Sequence, residues 1–561
     1  MGITTVKGRT LNGHNGEAET LPFINPATSQ QFGEVKTTSV EEILLARREM
    51  AAAAKTWAAK PLAERIRILR QLLKLMLDEI DEITAVMNMD NGKSRQDALI
   101  ELFVTADMMT QYLKHASKWL HRRRISPGLQ IFKRCYVDYK PHGVVAVIGP
   151  WNYPFVLLVP PIFNALLAGN TVLAKPSEVT SATGVMIEKL FQRIPELAPY
   201  VRFLHGDGRV GAALVQSKPD MIYITGSVAT GKKVMQAAAE HLIPVVCELG
   251  SKDPMIVLED ADIEMAAKWG VWGAFYNSGQ TCVSVERVYV VASVYDQFVE
   301  AALAETKKMK IGYSPHTDNE FNMGPLTFQR QIDIVENHMA DALKKGAKVL
   351  LGGKRTGMFM EPTIVTEVDH SMQLMQDETF GPIMPIMKVD DERHAIQLAN
   401  DSHMGLGASV WSRDMRRAER VAHQLETGSV NINDTITHFA IPTLPFGGVK
   451  ESGIGRSHGQ EDLLQFVTSR AYVLGKGPHP LDVATILRKP NTYALNKLIL
   501  KSSFGVTPQQ RLEPVEEFIA DKTGLSPHNS RIFIGTTAVT LTVALLTTTI
   551  AIAAKIRKIM S

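Results

Sequence analysis

Seven short strand-like runs recur along this chain, all but the last apolar at consecutive positions: GVVAVIGP (143–150), NTVLAKP (170–176), MIYITGS (221–227), PVVCELG (244–250), DPMIVLE (253–259), RVYVVAS (287–293) and SVNIND (429–434). A segment of this length that is apolar at consecutive positions reads as a strand buried on both faces, as in a parallel sheet. Helix-length stretches separate many of the runs. Strand and helix in alternation predict an α/β fold with open parallel sheets, and functional side chains are then expected at the carboxyl ends of strands. Residues 40–122 read mostly as helices, the first opened by Ser39 as its cap.

The chain has 561 residues, enough for two or three domains. A formal net charge of +3 gives no electrostatic case for nucleic acid as the main partner. Cys135, Cys247 and Cys282 are widely spaced with no CxxC, which argues against a disulfide framework and a structural metal site and fits a reducing compartment. The N-terminus has no apolar segment of the signal-peptide kind. Residues 532–554 carry no charge, and as a helix they would be roughly 34 Å long at about 1.5 Å per residue, enough to cross a bilayer core. Arg531 before the run and KIRK after it supply cations for the headgroups. A single-pass tail anchor is expected, with the catalytic body on the cytoplasmic face; a buried terminal helix is the alternative.

Cys282 lies in YNSGQTCVSVERV, a small, polar loop between a helix-like and a strand-like stretch. It is a candidate nucleophile or a packed, inert thiol. Glu248 ends the run PVVCE, where a carboxylate is costly unless paired or working as a base, or lies just beyond the strand at the surface. Cys247 then points to the opposite face, into the core. Gly149-Pro150 stops a strand and presents Trp151, Asn152 and Tyr153; the Asn152 amide can hold an oxyanion or simply make a turn.

Nucleotide-binding candidates follow. Lys175 and Glu178 stand just past a strand, where both can bond ribose hydroxyls. A carboxylate there repels a 2′-phosphate and favours NAD over NADP. Gly226, Ser227 and Gly231 lie between a strand and a helix, a place for a pyrophosphate or an ordinary turn. Glu378 in DETFGP could hold the second ribose, with Phe380 against the nicotinamide. The Gly-rich LPFGGVKESGIGR (444–456) reads as tight backbone packing near a site.

Together, in order and approximate spacing, these stretches resemble the aldehyde dehydrogenase superfamily over about residues 20–475. The resemblance implies Cys282 as nucleophile, Glu248 as general base, and Asn152 with the Cys282 N–H as oxyanion hole. It places Lys175, Glu178, Ser227, Gly226, Gly231, Trp151, Glu378 and Phe380 around NAD, with no metal. It implies a Rossmann-type NAD domain of 1–122 with 142–249, a catalytic domain of 250–447, and a bridging, dimer-forming hairpin of 123–141 with 464–476. Residues 477–531 would be a connector to the transmembrane helix 532–554, whose placement resembles the tail of membrane-bound fatty aldehyde dehydrogenases. Ser251 departs from the family, which usually has a second glycine there. The expected function is NAD-dependent oxidation of a lipophilic aldehyde to the acid by a membrane-anchored homodimer. The alternatives are a CoA-acylating enzyme, which usually lacks the Glu248 carboxylate, and a non-catalytic scaffold of the same fold.

Overall fold

A computed structural model describes residues 19–128, 133–317, 321–475 and 493–524, with Ser526 and Asn529. Chain contacts divide it into two units: residues 1–124 with 136–472, and residues 125–135 with 473–561.

The first unit is built on two parallel sheets. One uses Val144–Ile148 (β1), Thr171–Lys175 (β2), Val201–Phe203 (β3), Met221–Thr225 (β4) and Val245–Glu248 (β5). The other uses Pro254–Val257 (β6), Arg287–Val291 (β7), Lys348–Leu351 (β8), Thr363–Thr366 (β9), Ile383–Val389 (β10), Ser409–Trp411 (β11) and Asn431–Ile432 (β12). Gly453–Ile454 (β13) returns to the first sheet, antiparallel to β5. The orders are β13-β5-β4-β1-β2-β3 and β8-β9-β10-β7-β6-β11-β12. Apart from the β5–β13 and β8–β9 pairs, the neighbouring strands of both sheets run parallel.

The period of two along β1 explains its unbroken apolar run. Val145 and Val147 enter one core, while Val144, Ala146 and Ile148 enter the core on the other face. The second sheet repeats this, with Met255 and Val257 in one core and Ile256 in the other. Helices Val40–Ala59, Leu62–Asp78, Ile80–Asn91 and Arg95–Trp119 supply packing partners. Ser39 caps the first of these through a reciprocal capping box with Glu42.

Strand order reverses at β1, which has β2 on one side and β4 on the other. A crevice at such a switch point is where open α/β sheets bind ligands. A third, three-stranded sheet contains Arg123–Ile125, Lys133–Pro141 and Val467–Gly475, so residues 464 and 465 of the expected bridging segment instead end the helix Gly459–Gln465.

In the second unit the expected connector contains helices Tyr493–Phe504 and Pro508–Thr523. Thr507 caps the latter with Gln510, and Gly524 ends it in a left-handed conformation. The predicted membrane span 532–554 lies outside the described residues. Among those residues no helix is long and apolar enough to cross a membrane.

Candidate active site

The cysteine loop is built on unusual backbone. After the helix Ile263–Phe275, Asn277, Ser278 and Gly279 adopt φ values of 52°, 60° and 73°. Left-handed conformation at non-glycine residues costs about 1–3 kcal/mol each and persists only where the surroundings enforce it. Here the Asn277 amide donates to the carbonyls of Asn152 (3.2 Å) and Gln280 (3.3 Å). The Gln280 amide donates to the Asn277 carbonyl (3.0 Å), and its oxygen accepts from the Thr327 N–H (2.9 Å). Only glycine fits position 279, because a Cβ would stand 2.2 Å from the Gly381 carbonyl oxygen. That close approach ties the loop to the 378–382 segment. Cys282 emerges at its end, half-buried.

Asn152 follows β1 and is buried. Its amide donates to the Gln280 carbonyl at 3.1 Å, two residues before the thiol. A primary amide carries two donors, so one such bond leaves a second N–H to serve a substrate oxygen. The Asn152 backbone is fixed by Lys93, whose ammonium donates to its carbonyl at 2.9 Å and pairs with Glu101 at 2.6 Å, both side chains fully buried. Glu101 also accepts from the N–H groups of Phe155 (2.8 Å) and Val156 (3.0 Å).

Glu248 closes β5 between Thr225 of β4 and Gly453 of β13. Cys247 beside it is fully buried on the other face. The Gly-rich segment packs here. A Cβ at Gly453 would meet the Cys247 carbonyl oxygen at 2.3 Å, and one at Gly447 would meet Glu248 Oε1 at 3.0 Å. Glu248 and Cys282 line one cavity, with walls that include Met108, Val156, Leu157, Pro160, Leu406 and Phe446.

Burial first, then the Asp462 charge, raises the Glu248 carboxyl well above the usual carboxylate range, with Arg456 and Ser457 opposing. No protein donor meets hydrogen-bond geometry at either of its oxygens. The Cys282 thiol is pushed up by burial, then by Asp253, Glu378 and Glu248.

The cofactor candidates fall at the switch point. Lys175 ends β2, and its ammonium donates to the Pro176 carbonyl and to Glu178, each at 3.1 Å, while Glu178 itself is exposed. Ser227 caps the helix Val228–Ala239 and accepts from the Thr230 N–H at 3.3 Å. A Cβ at Gly226 would meet nothing within 4 Å, so the backbone there is open to a ligand. Gly231 has a packing reason to be glycine: Leu249 would lie 2.6 Å from a Cβ.

Glu378 Oε1 accepts from the Ser251 N–H at 2.9 Å, and burial with Glu286 lifts its carboxyl to about 8. Phe380, at φ 53°, donates its N–H to Glu286 at 2.8 Å and sets its ring edge-on to Trp151 at 5.4 Å. An exposed helix N-terminus, an ammonium–carboxylate pair past β2 and an aromatic beside the thiol loop together fit a dinucleotide.

The aldehyde dehydrogenase family model matches residues 14–472. The chain belongs to this family. It is 42% identical over 450 residues to a 4,4'-diapolycopene aldehyde oxidase of a Methylomonas species, covering 80% of this chain and 84% of that protein. It is 35% identical over 469 residues to the NADP(+) succinate-semialdehyde dehydrogenase of Escherichia coli, covering 82% and 95%. Among solved structures, lactaldehyde dehydrogenase from Escherichia coli superposes with a TM-score of 0.79 at 32% identity, covering 82% of this chain and 97% of that one. Betaine aldehyde dehydrogenase from Staphylococcus aureus, solved with NAD+, gives 0.78 at 30%, covering 83% and 93%.

Sequence reading of this aldehyde dehydrogenase missed the residues that hold the site. Besides Lys93 and Glu101, a second buried pair, Lys252 and Glu286 at 2.5 Å, anchors the 379–380 backbone through Glu286. The departure at Ser251 also has a structural use. Its hydroxyl donates to Asp253 and accepts from the Leu406 N–H (3.1 Å), tying the turn after β5 to the cavity wall. Asn152→Ala tests the oxyanion role expected of this amide: with that role, kcat falls by about 10²–10³-fold with KM little changed, as steady-state kinetics would read.

Proposed function

We propose that this aldehyde dehydrogenase oxidises a lipophilic, long-chain aldehyde to the carboxylic acid with NAD, through a thioester on Cys282. The observation that carries this is that Cys282 and Glu248 line one cavity with mostly apolar walls. The Cys282 thiol gives its proton to solvent water, and its sulfur bonds to the aldehyde carbon as the C=O π pair moves to the oxygen. The oxygen that becomes negative is held by the second Asn152 N–H and the Cys282 backbone N–H. NAD, when bound, supplies the acceptor for the hydride released as the thioester forms. Lys175, Glu178, Gly226, Ser227 and Gly231 would hold its adenosine and pyrophosphate side, and Trp151, Glu378 and Phe380 its nicotinamide side. Glu248 then takes a proton from water, whose oxygen attacks the thioester carbon and releases the acid. The presence of Glu248 favours hydrolysis over transfer to CoA.

Three observations support the finer points. The exposed Glu178 carboxylate disfavours a 2′-phosphate, hence NAD. The Methylomonas relative is named for a lipophilic aldehyde. The charge-free run 532–554 would anchor the enzyme where such aldehydes partition, with the body on the cytoplasmic face and a homodimer joined through the 123–141 and 464–476 segments. Detergent-solubilised full-length enzyme is assayed with acetaldehyde, hexanal, decanal and hexadecanal, each with NAD and with NADP. Rising kcat/KM with chain length and a preference for NAD are expected. A short-chain optimum removes the lipophilic substrate, and an NADP preference removes the role given to Glu178.

A further inference from the structure

The Cys282 cavity carries a second carboxyl for which the chemistry above has no task. Asp462, in the helix Gly459–Gln465, is buried and lines the same cavity as Glu248 and Cys282. Its Oδ2 accepts from the Tyr112 hydroxyl at 2.5 Å and from the Asn164 amide at 2.8 Å. No protein donor meets hydrogen-bond geometry at its Oδ1 or at either oxygen of Glu248, while the His458 N–H and the Ser457 hydroxyl lie near enough to favour the two anions. Two cavity-lining carboxyls thus present three acceptor oxygens with room for a further donor. Buried acceptors are costly unless satisfied, and a molecule with two donors at one oxygen, such as water, can serve two at once.

We propose that Asp462 is a positioning residue for thioester hydrolysis: with Tyr112 and Asn164 fixing one oxygen, its other oxygen and Glu248 together hold the hydrolytic water in the cavity both line. The proposal rests on the Cys282–Glu248 reading above. In the step it serves, a water O–H bond breaks and the proton passes to Glu248. The water oxygen bonds to the thioester carbon, and the C–S bond breaks with its electron pair returning to the Cys282 sulfur. Asp462 orients that water and keeps its own charge. No electrons leave the system and no further reactant is needed.

The surrounding charges allow this. Glu248 is faced by Asp462, Arg456, Tyr223 and the thiols of Cys247 and Cys282. Asp462 is faced by Tyr112 and Tyr223, and by His458 at the cap of its own helix. Burial pushes His458 down to about 3, with His438 adding to the effect, so it brings no compensating cation near neutral pH. Burial lifts Asp462 only to about 6, because Tyr112 and Asn164 stabilise its ionised form. The Asp462 charge adds to burial in raising Glu248, which makes the ionised Glu248 a stronger base.

Decay of the Cys282 thioester, followed by rapid acid quench and intact-mass spectrometry across pH with decanal and NAD, tests this. In wild type the decay rate rises with pH as Glu248 ionises. Asp462→Asn removes the neighbouring charge, so the midpoint of that rise should move down by about one pH unit. Tyr112→Phe removes one bond that favours the Asp462 anion and should move the midpoint down by a smaller amount. A folded Asp462→Asn enzyme with the wild-type midpoint overturns the proposal. If that variant does not fold, an unmoved midpoint in Tyr112→Phe overturns it. An enzyme that forms no thioester even as Glu248→Gln overturns the Cys282 reading itself, and this inference with it.

Discussion

Cys282→Ala is expected to abolish aldehyde oxidation, with kcat/KM falling by on the order of 10⁴–10⁶-fold, as when a residue that forms the covalent intermediate is removed. The loss should fall on chemistry and leave the fold intact. The loop that presents Cys282 is fixed by the Asn277 and Gln280 amides, by the Ser278 hydroxyl on the Gly324 carbonyl (2.9 Å) and by the close contact of Gly279 with Gly381. None of these uses the sulfur. The thiol packs against Val283, Leu406 and Phe446 at the edge of a small apolar cluster, and trimming it should cost no more than about 1 kcal/mol. The melting temperature should therefore stay within a few degrees of wild type, and NAD should still quench Trp151 fluorescence. Rapid mixing with aldehyde and NAD should show no burst of NADH. A variant that keeps even a hundredth of wild-type turnover, or that fails to fold, would remove Cys282 from the place it has been given.

Much of this was legible in the sequence because burial leaves a periodic mark. The run 143–150 is apolar at every central position because β1 is covered on both faces, and the other six runs that suggested strands contain strands too. The signal failed where strands carry unusual residues or are very short. β10 reads IMPIMKV, with Pro385 inside it, and β11 has only three residues. The carboxyl ends of β1, β2, β4 and β5 delivered Asn152, Lys175, Ser227 and Glu248 to the expected edge, since a chain leaving a parallel strand must turn there. The supporting charges gave no such signal. Lys93 lies in the short loop between two helices and Glu101 in the second of them, and only the tertiary fold shows both fully buried. Asp462 in GQEDLLQ has the same ambiguity: a carboxylate between Glu461 and Leu463 can face either way, and the packing of Tyr112 and Asn164 decides it.

Glu248→Gln is expected to separate the two halves of the reaction. Thiol addition and hydride loss precede the water step, so one equivalent of NADH per site should still appear, followed by turnover slowed by about 10²–10⁴-fold, the usual contribution of a general base. The pH dependence gives a sharper test. Only ionised Glu248 can take the proton from water, and burial with the Asp462 charge raises its carboxyl well above the ordinary range. Wild-type thioester hydrolysis should therefore rise with pH above the ordinary carboxylate range, and the glutamine variant should lose that rise. Stability should move in the opposite sense. A group whose folded pKa lies above its unfolded value contributes stability below the unfolded pKa and loses it as pH rises through the folded one. Between those two values the unfolded carboxyl is ionised while the folded one keeps its proton, so wild type is progressively penalised. Glutamine is neutral throughout and nearly the same shape. Its melting temperature should match wild type in acid and exceed it increasingly as pH rises. A glutamine variant that loses activity while its stability difference stays flat with pH would show that Glu248 is ionised in the folded protein at an ordinary pH, and that its burial is not what makes it a base.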